Sequence, residues 1–206
     1  SCRWFIGKCT HIRMRVEIFD HMEQCTEAEV QRMLPLVSAQ RREQALRFKH
    51  TLGRFCCLKS WVMLMEMLQT STKQAHNSHQ TPTEWQNFAY NEHGKPYIEG
   101  GPYFSISHCK EGIAVAVDDR PIGIDIEFIR HSDADLIART MNEKEQLLIH
   151  SDRDFTRLWT QKEAVVKAIG IGIESFEQLQ TILSKSPEWK ISTIEKDKYI
   201  YSIAYE

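Results

Sequence analysis

The stretch from Arg120 to Glu127, RPIGIDIE, constrains the fold more than any other part of the chain. Ile122, Ile124 and Ile126 alternate along it as they do in a strand with one face in a core. Asp125 and Glu127 stand two residues apart, and in an extended chain residues i and i+2 share a face. Two acids side by side repel each other, so a positive group between them is expected.

The rest of the composition sets the bounds. The 206 residues, 42% of them hydrophobic, suffice for one large domain or two small ones around a core. With 26 basic and 28 acidic residues the net charge is -2. No global field therefore attracts nucleic acid or anionic membrane. No apolar run has the length of a membrane span, and residues 1–16 lack the continuous apolar core of a signal peptide. Cys2, Cys9, Cys25, Cys56, Cys57 and Cys109 form no C-x-x-C pair and no zinc spacing. They read as reduced thiols of a cytoplasmic protein.

Along the chain, Met14, Val16 and Ile18 alternate with charges and predict a half-buried strand over 13–20. Thr26 is placed to cap a short helix running to about Leu34. A longer helical region starts at Ser38 and breaks near His50. Its second part is apolar nearly all round, as in a central helix packed on several sides. The polar stretch 69–85 reads as a surface loop, and Gly94 and Pro96 punctuate a turn. YFSISHC and GIAVAVDD predict paired strands around Lys110 and Glu111, followed by the strand IGIDIEFI. Helices are expected at about 133–149 and 153–169, and a hairpin turning at Lys196 to Lys198 closes the chain. The two parts repeat a coarse order of strand, helices and strands, without a sequence repeat.

The second informative stretch is LWTQKEAVVKAIGIG, residues 158–172. Glu163 and Lys167, at i and i+4, share a helix face with Trp159 one turn earlier, and Gly170 and Gly172 end the helix. Lys95, Ser107 and His108 lie in HGKPYIEGGPYFSISHC. Singly these are ordinary features: a solvated Glu–Lys pair, a turn lysine, a polar cap at a strand end. Ser107 lacks the G-x-S-x-G setting of a hydrolase nucleophile. Together they describe chemistry. Asp125, Glu127 and Glu163 form an all-oxygen set suited to Mg²⁺, which completes its shell with water and substrate phosphates. Lys95, His108 and Lys167 would surround those phosphates, the arrangement phosphoryl-type transfer requires.

The order G-K-P, F-S-I-S-H, G-I-D-I-E and W-x-x-K-E-A-x-x-K-x-x-G-x-G resembles the 4′-phosphopantetheinyl transferase superfamily, in its long, single-chain, pseudo-dimeric type. The match is dense from Gly94 to Gly172, and SAQRREQALRF is similar to a family helix that contacts coenzyme A. The resemblance implies an α+β fold of two similar α/β halves, residues 1–121 and 122–206, with the active site in the cleft between them. It implies transfer of 4′-phosphopantetheine from coenzyme A to a serine of an apo acyl or peptidyl carrier protein, releasing 3′,5′-ADP. Asp125, Glu127 and Glu163 would hold Mg²⁺, with Mn²⁺ as the alternative ion. Arg41, Lys95, Ser107, His108 and Lys167 would bind coenzyme A. Glu163, or a water held by Glu127, would take the serine proton, and Lys167 would steady the leaving group. Gln44 stands where the family often has a second cation, Thr51 and Arg54 are weaker coenzyme A candidates, and TMNEKE (140–145) lacks a Phe before its acids. Arg139 and Met141 are candidates for carrier docking. The expected protein is a monomer that binds neither nucleic acid nor membrane.

Two other classes compete. A metal-dependent phosphoesterase or nuclease would use the same carboxylates to activate water, but calls for a more basic surface. A non-catalytic carrier-protein binding module would not need three acids and two lysines. A Rossmann reading of GIGIES fails, because those glycines follow a helix instead of opening one.

Overall fold

In the computed structural model, which describes residues 14–74 and 88–206, the alternation around Val16 and Ile18 becomes strand β1 (Arg15–Phe19). Thr26 Oγ1 accepts a hydrogen bond from the Glu29 amide and starts helix α1 (Glu27–Met33). Ser38 does the same for the Arg41 amide at α2 (Ala39–Leu46). The break at His50 is there, and α3 (Thr51–Gln74) follows it. Phe55, Leu58, Trp61, Leu64, Met67 and Leu68 of α3 are all buried, which accounts for its lack of a polar face. One expectation needs correcting here. The stretch read as a loop from residue 69 is helical through Gln74. No Gly or Pro interrupts 69–74, so a packed helix propagates into polar sequence. Residues 75–85 of that expected loop lie outside the described residues.

A small hairpin, β2 (Ala89–Tyr90) with β3 (Pro96–Tyr97), turns through Gly94 at a φ of +82°, a left-handed conformation glycine adopts without strain. Strands β4 (Tyr103–Cys109) and β5 (Gly112–Asp118) then join β1 in an antiparallel sheet of order β1-β5-β4. Every residue of β5 is buried. Ile113, Val115 and Val117 pack into the core built on α3, while the small Ala114 and Ala116 face the other way, onto the isoleucines of strand β6 (Ile122–Phe128).

Strand β6 belongs to a second antiparallel sheet, with β7 (Lys190–Glu195) and β8 (Tyr199–Tyr205), in the order β6-β8-β7. Between β6 and β7 run four helices: α4 (Ala134–Thr140), α5 (Glu143–Gln146), α6 (Asp152–Ile169) and α7 (Phe176–Lys185). The helix expected over 133–149 is two, because Met141 is extended and Asn142 opens a capping box with Glu145. Helix α7 has no counterpart in the sequence reading. Its Leu179 and Ile182 are buried against Val165 and Val166 of α6. The chain thus mixes helices and antiparallel sheets. No helix among the described residues is long and apolar enough to cross a membrane. Cys25, Cys56, Cys57 and Cys109 are free thiols.

Candidate active site

The site is built where β6 meets α6. Odd-numbered residues of β6 face the helix, and a side chain at Gly123 would run into the Ala164 carbonyl oxygen and the Ala168 amide. Glycine there lets strand and helix approach backbone to backbone. Helix α6 is capped by Ser151 at its start and by Gly170, at φ +83°, at its end. Thr160 Oγ1 shares a hydrogen bond with Ser202 Oγ of β8 at 2.8 Å, which fixes the helix on the sheet. Glu163 and Lys167 are thereby carried over Asp125.

The positive group at the acids is Lys167, paired with Asp125 and acting on Glu127 through its charge. Its ammonium donates to Asp125 Oδ1 at 2.7 Å. The same oxygen accepts a hydrogen bond from Ser107 Oγ at 2.8 Å. Asp125 is 3% exposed, and its Oδ2 has no hydrogen-bond partner. Ser107 Oγ also accepts from the Ile126 amide, and Ser105 Oγ from the Ile124 amide. Strands β4 and β6 lie in different sheets, so two serine hydroxyls join them and aim the Asp125 carboxylate.

Glu127 and Glu163 complete the acidic group. Burial first, then the charge of Asp125, pushes the Glu127 carboxyl up to about 7, with Arg130, Lys167 and a hydrogen bond from Trp159 acting against it. Glu163 is likewise raised to about 7, by burial and then by Asp125, with Lys167 opposing. On the basic side, burial draws Lys95 down to about 8, and the charge of Lys167 adds to the effect. His108 is lowered by burial and then by Lys167 and Arg41. Lys95, His108, Lys167 and Arg41 therefore share one electrostatic neighbourhood.

Each of these groups has defined partners. Lys95 Nζ donates to the Lys167 carbonyl at 2.5 Å and to the Ile122 carbonyl at 3.4 Å. The Arg41 guanidinium lies 4.7 Å from the Trp61 ring centre and donates to the Cys57 carbonyl, Ser60 Oγ and Gln44 Oε1. Gln44 in turn donates to the Tyr90 hydroxyl. Thr51 and Arg54 are both engaged with Glu27 of α1. A cavity of about 380 Å³ opens beside these residues, lined on one side by Gly94, Lys95 and Ser105 and on the other by Glu163 and Lys167.

The comparison with known proteins decides the family. Residues 121–205 match the family model of the 4′-phosphopantetheinyl transferase superfamily. The 4′-phosphopantetheinyl transferase of Bacillus subtilis is 33% identical over 153 residues, covering 70% of this chain and 65% of that protein. The chain belongs to the 4′-phosphopantetheinyl transferase superfamily. Among other superfamily members, gsp of Aneurinibacillus migulanus is 35% identical over 127 residues, covering 55% of this chain and 54% of its own. HetI of a Nostoc strain is 36% identical over 120 residues, covering 52% and 51%. The chain spans about half to two thirds of the length of these relatives.

The donor set also bears on whether this superfamily member could hold a metal. Among the described residues no group of three His, Cys, Asp or Glu side chains is arranged to hold a metal ion. Even so, an orphaned buried carboxylate oxygen on Asp125 and a second acid two residues on have the chemistry of a hard divalent cation's ligands. Such an ion needs only one or two protein carboxylates. The residues fit.

Four residues in this member's site or supporting the helix that carries it escape the sequence reading. Gly123 has a legible signal, a glycine inside a β-branched strand. Ser105 has one too, two residues before Ser107 on the same face. Lys162 has none: it is 0% exposed and donates to both oxygens of Glu145, at 2.9 and 2.7 Å, and to the Leu179 carbonyl at 2.5 Å. Asn91 has none either: its side-chain amide donates to the Gly170 carbonyl at the end of α6, at 2.7 Å. Met141, a candidate for docking, is 0% exposed and unavailable to a partner, because it sits under the α4–α5 junction. Arg139 lies 4.2 Å from the ring centre of Phe176.

Proposed function

We propose that the protein transfers the 4′-phosphopantetheine group of coenzyme A to a serine hydroxyl of an apo acyl or peptidyl carrier protein, releasing 3′,5′-ADP. The observation that carries this reading is the Lys167–Asp125 pair at 2.7 Å, set beside Glu127 and Glu163 with Lys95 and His108 nearby. Acids and cations so arranged suit a pyrophosphate, whose charge must be neutralised while one of its bonds breaks. Asp125 and Glu127 would hold Mg²⁺ or Mn²⁺, with Glu163 beside them. When bound, that ion supplies charge neutralisation to phosphate oxygens.

The chain's own groups do the rest. The carrier serine oxygen bonds to the phosphorus that bears the pantetheine arm, and the bond from that phosphorus to the oxygen of 3′,5′-ADP breaks. The serine proton passes to the Glu163 carboxylate or to a water held by Glu127. Lys167 balances negative charge on the departing 3′,5′-ADP. Arg41, Lys95, Ser107 and His108 form the coenzyme A side of the site. In this reading residues 1–121 and 122–206 are the halves of a pseudo-dimer with the site in the cleft between them, in a cytoplasmic monomer.

The test is incubation with coenzyme A, Mg²⁺ and apo carrier proteins, followed by mass spectrometry. A carrier heavier by one phosphopantetheine group is the expected product. Carriers left unchanged while coenzyme A is hydrolysed would instead identify a phosphoesterase.

A further inference from the structure

Asn91 sits in the turn between β2 and β3 and uses both ends of its side-chain amide. Its Oδ1 accepts from the His93 amide at 3.0 Å and the Lys95 amide at 2.8 Å, while its backbone amide donates to the Lys95 carbonyl at 3.0 Å. These bonds fold the chain tightly around Gly94. The Nδ2 points away from the turn and donates to the Gly170 carbonyl at 2.7 Å, 79 residues distant in sequence.

Gly170 ends α6, and its hydrogen faces Asn91: a Cβ there would lie 3.3 Å from Asn91 Nδ2 and 3.5 Å from Lys95 Cδ. Lys95, held through its amide by Asn91, reaches the same helix end and donates to the Lys167 carbonyl. The hairpin and the helix thus meet at two adjacent points, one from Asn91 and one from Lys95. The hairpin side of the cavity carries Gly94 and Lys95, the helix side Glu163 and Lys167. This contact joins the element that carries one wall to the element that carries the other.

We infer that Asn91 is a positioning residue for coenzyme A: its Oδ1 shapes the turn that presents Lys95, and its Nδ2 clamps that turn to the end of helix α6. The inference rests on the transferase reading, and it assigns Asn91 no contact with substrate. Its effect is on binding, because a loosened hairpin must be ordered again by the ligand. The metal acids and Glu163 are held by other elements and keep their geometry.

Two variants separate the two ends of the amide. Asn91→Asp keeps an acceptor for the His93 and Lys95 amides but loses the donor to Gly170. Asn91→Ala loses both. Calorimetry with coenzyme A should show binding weakened about tenfold in Asn91→Asp, which loses one hydrogen bond, and further in Asn91→Ala, which loses three. The KM for coenzyme A should rise in step, with kcat and the carrier KM within about twofold of wild type. Hydrogen exchange at the His93 and Lys95 amides should quicken only in Asn91→Ala, which shows that Asn91→Asp is folded with its turn intact. Coenzyme A bound equally by wild type and both variants overturns the inference, as does a fall in kcat with no change in KM. A wild-type protein that binds no coenzyme A removes the transferase reading, and the inference with it.

Discussion

Replacing Lys162 by methionine keeps the stem of the side chain and removes its charge. In the wild type the ammonium is fully enclosed and makes three hydrogen bonds, two to Glu145 and one to the Leu179 carbonyl. Burial lowers the Lys162 pKa, and Glu145 opposes that shift. In Lys162→Met the Glu145 carboxylate, 8% exposed, loses its counter-ion, and the Leu179 carbonyl loses its donor. Breaking one side of a buried pair costs about 3–5 kcal/mol. For a chain of this size each kcal/mol moves Tm by roughly 2–4 °C, so a fall of roughly 6–20 °C is expected. Glu145 also accepts from the Asn142 amide in the capping box at the start of α5, and the second variant must keep that bond. Lys162→Met/Glu145→Gln does so while removing the second charge. Urea unfolding of wild type, both single variants and the double variant gives the coupling between the two groups, expected at about 2 kcal/mol or more. A single variant within about 1 kcal/mol of wild type, or losses that simply add, would refute the reasoning.

Gly123→Ala should destabilise by about 1–3 kcal/mol, because backbone atoms of α6 occupy the space its methyl needs. Gly172→Ala, with nothing within 4 Å, should melt with the wild type, and equal Tm values for the two variants would sink the packing argument. The folded protein keeps protons on Glu127 and Glu163 up to about 7, whereas an ordinary glutamate loses its proton near 4.5. Stability therefore falls as pH rises through that window, since the unfolded chain binds fewer protons there. Glu163→Gln should remove about 1 kcal/mol of this fall after solvent screening, read from urea midpoints at about pH 5 and about pH 8 in a chelator. A pH difference equal to that of wild type would count against it. Ser107→Ala leaves the Ile126 amide without its acceptor, at a cost of about 1–3 kcal/mol, and leaves Asp125 tied by Lys167 alone. Both Tm and transfer rate should drop, and a variant equal to wild type in both would show that the hydroxyl aims nothing.

Much of this architecture was legible in the residues, because their patterns are local. Thr26 and Ser38 cap helices where short polar side chains precede apolar runs. The β4–β5 and β7–β8 hairpins follow from alternation across short turns. Helix α7 was missed because FEQLQTILSK lies between glycines and a proline and carries three polar residues in its first half. Its helicity is decided by Leu179 and Ile182 packing on α6, which is tertiary. The extension of α3 to Gln74 follows from helix propagation and the split at Asn142 from a capping box, neither of which shows in the apolar pattern. At the site, spacing put Glu163 with Lys167 on one helix face, but only the fold brings Lys167 to Asp125, 42 residues away. Lys162 and Glu163 are adjacent in sequence, and nothing in it distinguishes the enclosed lysine from a solvated one.

The serine seam between β4 and β6 has a consequence for solubility. Both are edge strands, the places where a sheet offers unpaired amides to another chain. Here the amides of Ile124 and Ile126 are occupied by Ser105 and Ser107, and the isoleucines between them are buried against β5. Each sheet's vulnerable border is closed by the other sheet. Replacing both serines would therefore free two amides on a β-branched strand, the kind of border along which chains stack into aggregates. The hydroxyls that aim a carboxylate also occupy the open amides of an edge strand.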